Sequence, residues 1–233
     1  MFTKPLEKEE FLNQLESIIA QNKMLNHPFY RTWNEGNLSK LALQEYAKQY
    51  YHFVQEFPTY ISATHANTPY LSVRQELLNN LIEEEKGEAN HPTLWLQFMS
   101  ALGITEEEAQ ATNLFPETQE CLSTLRALAR SQDFTGGVAA LYAYESQIPE
   151  VAATKIKGLK EYYNISSPQA LAFFTVHQEA DVYHSASEKN IVANYAKTAE
   201  QQSLCLQSAE KAAQAILRLL DGVYIRFVEP ALC

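Results

Sequence analysis

Apolar residues recur along this chain at helical spacing almost throughout. Phe11, Leu12, Leu15, Ile18 and Ile19 share one face, which predicts a first helix from about residue 8 to 24. Asn26-His27-Pro28 interrupts it, and Phe29 to Trp33 makes a short aromatic segment before the turn Asn34-Glu35-Gly36-Asn37. A long helix is expected from about Ser39 through LALQEYAKQYYHFVQEF, bent at Pro58 and continuing through YISATHAN. A third follows Pro69, and Gly87 and Pro92 inside its pattern predict unwinding or a bend between them. Thr105-Glu106-Glu107-Glu108 has the form of a capping box opening a short helix, and another runs from near Pro116 to about Ser131. The run from Gly136-Gly137 is helical, interrupted at Pro149 and closed near Gly158 or just beyond. Ser167-Pro168 is an N-cap followed by proline at the first helical position, which fixes the phase of the helix that follows. A last helix covers about 198 to 228, ahead of a short frayed tail. With no alternating strand pattern and no repeat, the expectation is an all-α fold of about seven or eight helices around one core, a single domain over 1–233.

Charge narrows the partners. A net charge of −10 disfavours nucleic acid and anionic membrane surfaces, leaving a small molecule or a protein. The N-terminal stretch lacks the basic and apolar regions of a signal peptide, and no stretch has the ~20 apolar residues that span a bilayer, so a cytoplasmic protein is expected. Cys121, Cys205 and Cys233 lie far apart without a CxxC pair, the first two read as packed and the third as sitting on the loose tail. Thirteen tyrosines form a large stock of oxidisable rings, most of them core.

The chemistry concentrates in HQEADVYH. Steps of four and three put His177, Asp181 and His184 within roughly 60° of arc on one helix face. The two histidines are about 10 Å apart along the axis, too far for one ion to serve both and suited to two ions, one near each. Glu84 and His91 repeat the seven-residue spacing, two turns on one face if the helix stays regular across Gly87. The neighbouring Glu83 and Glu85 read by default as solvated surface. Glu145 follows a run of small and apolar residues, where a buried carboxylate must be paired, protonated or metal-bound. Three carboxylates and three imidazoles, hard oxygen with borderline nitrogen, suit iron or manganese better than zinc or calcium. His27, His52 and His65 lack such a pattern and read as ordinary polar positions.

The segments MLNHPFYRTW, YAKQYYHF, NLIEEEKGEANHPTLW, GVAALYAYESQIP, KIKGLKEYY and HQEADVYH carry a resemblance from about residue 10 to 225. The chain resembles the chlamydial proteins associating with death domains and their bacterial relatives, a branch of the haem-oxygenase-like dimetal oxidases. That branch is related in fold to pyrroloquinoline-quinone synthase and the thiaminase II family (PqqC-like and TenA-like bundles). The resemblance implies a seven-helix bundle holding two metal ions, Fe/Fe or Fe/Mn, on Glu84, His91, Glu145, His177, Asp181 and His184, with dioxygen as co-substrate and an external reductant. It argues against haem, because no single proximal histidine carries over. Members of this branch are implicated in making the p-aminobenzoate part of folate by sacrificing one of their own tyrosines. The matching tyrosine is Tyr30, with Tyr46 and Tyr144 as further aromatic candidates, and Lys155 matches the amino-group donor.

Three functions follow as expectations. The preferred one is an oxygen-dependent dimetal oxidase that consumes Tyr30 in a single turnover, with Lys155 as nitrogen source. A second keeps the centre but oxidises an added amine, amino acid or fatty acid repeatedly. A third is an interaction protein, for which the extension VEPALC is short. Related folds pair through helices, so a homodimer is expected.

Overall fold

The structure, a computed structural model, describes residues 4–231. It is all-α: α1 (Lys8–Gln21), α2 (Pro28–Asn34), α3 (Lys40–Asn67), α4 (Leu71–Glu85), α5 (His91–Ala101), α6 (Glu106–Gln110), α7 (Pro116–Ala129), α8 (Phe134–Glu145), α9 (Ile148–Glu161), α10 (Pro168–Tyr195) and α11 (Ala199–Phe227). Short 3₁₀ turns occupy Met24–Asn26 and Glu229–Ala231, so the start of the expected frayed tail is a turn, while its end, including Cys233, lies outside the described residues. The capping signals operate as read. Ser167 accepts from the Ala170 N–H at 3.2 Å at the start of α10, and Thr105 and Glu108 form a reciprocal box on α6.

These elements exceed the expected seven or eight because two long patterns break and two short helices stand alone. The third pattern divides into α4 and α5. Lys86 is extended, Gly87 takes φ 80°, a left-handed conformation that favours glycine, and Asn90 caps α5 by accepting from the Thr93 N–H at 3.0 Å. The break before Pro149 falls at Ser146-Gln147, and the proline sits in the first turn of α9 where its missing N–H costs nothing.

Every residue of α8 is buried. α10 packs on α5, α8 and α9, α11 packs on α7 and α8, and α3 packs on α4, α5 and α7. The core is unusually aromatic, with Tyr30, Trp33, Tyr46, Tyr50, Trp95 and Phe174 all at most 1% exposed. One close approach fixes a helix pair. Gly158 of α9 lies under the indole of Trp33 on α2, and a Cβ there would stand 2.3 Å from Nε1. No helix among the described residues is long and apolar enough to cross a membrane.

Candidate metal centre

The six candidate ligands converge in the core from four helices. α10 supplies His177, Asp181 and His184, α4 supplies Glu84 from its last turn, α5 supplies His91 as its first residue and α8 supplies Glu145 as its last. All are at most 4% exposed. They form two groups, Glu84 with His91 and His177, and Glu145 with Asp181 and His184, each able to bring three donor atoms within 4.8 Å of one another. The two-ended ruler on α10 therefore has a partner group at each end, and Asp181, expected between the histidines, joins the end of His184.

The bend expected between Gly87 and Pro92 is present, and the helix does not stay regular across Gly87. Glu84 and His91 do not meet as two turns of one regular helix, which would hold them about 10 Å apart along the axis. The chain leaves the helix at Lys86 and turns through Gly87, so that Glu84 Oε2 lies 2.7 Å from His91 Nδ1.

The polar atoms of this cluster are aimed at one another rather than paired off. His177 Nδ1 contacts the Phe173 carbonyl at 2.6 Å; with Nδ1–H donating there, Nε2 is left as a free ligand atom. His91 Nδ1 makes no hydrogen bond despite its nearness to Glu84, and neither nitrogen of His184 makes one either, although Asp181 Oδ1 lies 3.6 Å from its Nδ1. Glu83, half exposed, reaches within 3.3 Å of His184 Nε2, closer to the site than its default surface reading. Glu145 Oε1 accepts from Asn80 Nδ2 at 2.9 Å, but its Oε2 and Asp181 Oδ2 have no partner. Buried polar groups are rarely left so, because each unpaired one costs about 1–3 kcal/mol.

Electrostatics in the metal-free chain state the same problem. Burial and then Asp181 push the Glu145 carboxyl up to about 8, and burial with Glu84 pushes Asp181 well above the carboxylate range. Burial with His91 holds His177 well below the usual imidazole range. Burial also opposes a His91 cation, but Glu84 alongside outweighs it and raises the value. Cations of high charge at these two groups would satisfy the orphaned atoms and the buried charge together. The mixed oxygen and imidazole donors fit iron.

Glu188 was not picked out by sequence reading. It lies one turn beyond His184 on α10, is 2% exposed, and neither of its oxygens has a hydrogen-bond partner. The signal was available, because 177, 181, 184 and 188 continue a four-three-four step on one face. Asn80, which orients Glu145, had no such signal.

The predicted amine is also in the core. Lys155 on α9 is 3% exposed, and its Nζ lies among five rings, 4.7 Å from the centre of Tyr50, 5.2 Å from Tyr46 and 5.8 Å from Tyr30, with Trp95 and Phe174 completing the cage. No carboxylate pairs with it, and burial lowers its pKa to about 7, leaving a large neutral fraction. The break at Ser146-Gln147 puts it on a different helix from Tyr144. Tyr30 and Tyr46 are fully buried, and their hydroxyls face one another without good hydrogen-bond geometry. The Tyr144 hydroxyl shares a hydrogen bond of 2.7 Å with that of Tyr50, a residue read from sequence simply as core. Tyr144 also lines a small cavity with Phe53, Phe57, Glu84, His177 and Asp181. Its volume is about 10 Å³, room for about one water-sized molecule. His27 and His52 take ordinary roles, His27 accepting from the Phe29 N–H at 3.1 Å and His52 Nε2 meeting the Ala109 carbonyl at 3.2 Å.

Residues 44–216 match a family described as iron-containing redox enzyme. The chain is similar to the 4-aminobenzoate synthase of Nitrosomonas europaea, 41% identical, with 96% of this chain and 94% of that protein covered. It is likewise 42% identical to the 4-aminobenzoate synthase of Chlamydia muridarum, over 96% and 92% of the two chains. A solved TenA homologue from Pseudomonas syringae superposes with a TM-score of 0.80 at 16% identity, covering 96% of this chain and 99% of that one, a likeness of fold.

Proposed function

We propose, from the premise that the chain belongs to the iron-containing redox enzyme family, that it is an oxygen-dependent 4-aminobenzoate synthase whose substrate is its own Tyr30 and whose nitrogen comes from Lys155. The six residues above would hold two ions, Fe/Fe or Fe/Mn, with an external reductant. When bound, these ions would supply the oxidising power drawn from dioxygen. The similarity to proteins named 4-aminobenzoate synthase supports the product.

The product maps onto tyrosine atom by atom. Tyrosine already carries a ring substituted at opposite positions by oxygen and by one carbon, Cβ. Reaching 4-aminobenzoate requires the Cα–Cβ bond to break, Cβ to be oxidised to the carboxyl level by dioxygen, the phenolic oxygen to give way to nitrogen and, for that nitrogen to come from Lys155, its Cε–Nζ bond to break. The chain's own residues prepare the ring and the amine. The aromatic cage keeps water from the Tyr30 ring, which has no exposed surface. Burial leaves a large fraction of the Lys155 amine unprotonated near pH 7, with the lone pair a nucleophile needs. The Tyr50–Tyr144 hydrogen bond gives a phenolic proton a defined acceptor between cavity and cage.

The observation that carries this reading over repeated turnover of an added substrate is the buried pairing of Lys155 with Tyr30. Its Nζ lies 5.8 Å from the centre of the Tyr30 ring, so a ring and an amine already stand together inside the protein. The test is anaerobic loading with iron(II), with and without manganese(II), followed by oxygen and reductant, with 4-aminobenzoate measured by mass spectrometry. The expected yield is at most one per chain, carrying label from ¹⁵N-lysine, and none from Tyr30→Phe. Product surviving that substitution, or many turnovers on an added substrate with Tyr30 intact, would overturn the assignment.

A further inference from the structure

Glu188 has no part in the chemistry above and is among the least comfortable side chains in the protein. Its carboxyl is buried at 2% exposure, both oxygens lack a hydrogen-bond partner, and it lies within hydrogen-bonding distance of the Glu145 carboxyl. One Glu145 oxygen accepts from the Asn80 amide and the other has no donor, so without a cation the two carboxyls can only share a proton. Two buried carboxylates placed together need something positive between or beside them. Among the described residues, no lysine or arginine is paired with either.

Helix geometry says what that is. The position four residues after His184 returns to the face that carries His177, Asp181 and His184, so Glu188 extends the ligand row of α10 by one turn, past the group formed by Glu145, Asp181 and His184. The charge count agrees. Glu84, Glu145 and Asp181 bring three negative charges to the two candidate groups, and two divalent ions would bring four positive ones. A fourth carboxylate makes the filled centre neutral, the arrangement a buried site favours.

We infer that Glu188 is a further metal ligand of this centre, binding together with Glu145 to the ion held by Asp181 and His184. The inference rests on the two-metal reading and concerns the ion at the His184 end alone. Glu188 makes that site richer in carboxylate than the one at His177, and a harder, more anionic donor set retains the more oxophilic ion.

The experiment compares the wild-type chain with Glu188→Gln and Glu188→Asp. Each is loaded anaerobically with manganese(II) or iron(II), freed of excess metal, and assayed for metal per chain and for manganese affinity by titration. Wild type is expected to retain two ions. Glu188→Gln should retain one, its affinity for the second lowered at least tenfold, whereas Glu188→Asp, which keeps the charge, should recover part of that loss. Melting of the metal-free forms guards against misfolding as the cause, since Glu188→Gln removes one of two facing carboxylates and should melt at or above the wild-type temperature. Two ions bound by Glu188→Gln with wild-type affinity would overturn the inference and leave the two-metal reading standing. Failure of the wild type itself to bind iron or manganese would overturn both.

Discussion

The carboxylate and histidine cluster on α4, α5, α8 and α10 and the cage around Lys155 meet at the Tyr50–Tyr144 hydrogen bond. Both bury groups that would be charged in water. The cluster gathers several acids with their acceptor atoms unpaired, so it is incomplete until cations arrive. The cage surrounds one amine with hydrocarbon and ring faces and leaves it no counter-ion, so it is complete as an uncharged base. One region is built to be filled and the other to be kept dry, and the proposed chemistry, which calls for metal ions and for an amine as nucleophile, needs both.

The difference gives opposite dependences on pH in the metal-free protein. Burial raises the Glu145 carboxyl from 4.5 to about 8, so the folded chain binds more protons than the unfolded chain in that window and loses stability as pH rises through it. Glu145 alone contributes on the order of a few kcal/mol, and Asp181 shifts the same way. Melting of the metal-free chain should fall steeply between about pH 4.5 and 8, and loading should flatten the curve. A metal-free protein equally stable at both ends would break the comparison.

The second effect belongs to the cage. Lys155→Met should abolish 4-aminobenzoate, yet raise stability by about 2–4 kcal/mol at neutral pH, because it removes an amine whose pKa burial has lowered from 10.5 to about 7. The unfolded chain binds the extra proton between those values, so wild-type stability rises with pH there and the advantage of the variant should shrink from pH 7 toward 10.5. Chemical denaturation at several pH values measures it.

The smallest effect sharpens how the cage is assembled. Gly158→Ala would drive a methyl group into the Trp33 indole and push α2 away from α9, the helices that carry Tyr30 and Lys155. A stability loss of about 1–3 kcal/mol is expected, with product yield reduced several-fold while metal content stays at the wild-type level. Loss of metal in this variant would mean that the two regions are not separable.

Much of the fold was readable because local signals were strong. Ser167-Pro168 set the phase of α10, and that phase made His177, Asp181 and His184 visible as one face. What stayed hidden depended on packing between distant segments. Gly87 announced a bend but not that it would close Glu84 onto His91 to 2.7 Å. Lys155 carries no mark of burial in VAATKIKGL, where lysine ordinarily faces solvent, and only the approach of α2, α3, α5 and α10 encloses it. Tyr50 looked like any core aromatic until Tyr144 on α8 met its hydroxyl. Glu188 is the opposite case, a residue in plain helical register whose importance depends on finding Glu145 opposite.

Tyr30 has no exposed surface and packs against Phe29 and Trp33. If its ring leaves as product, the chain is left with a ring-sized hole at the centre of its core, and removal of a buried aromatic side chain typically costs about 3–5 kcal/mol. That is a large share of the ~5–15 kcal/mol by which a folded domain exceeds its unfolded state. A spent molecule would thus differ from a fresh one in lifetime as well as in composition, opening more often and offering itself to cellular proteases. The tyrosine that serves as raw material would also act as the chain's expiry mark, clearing used copies without any separate recognition signal.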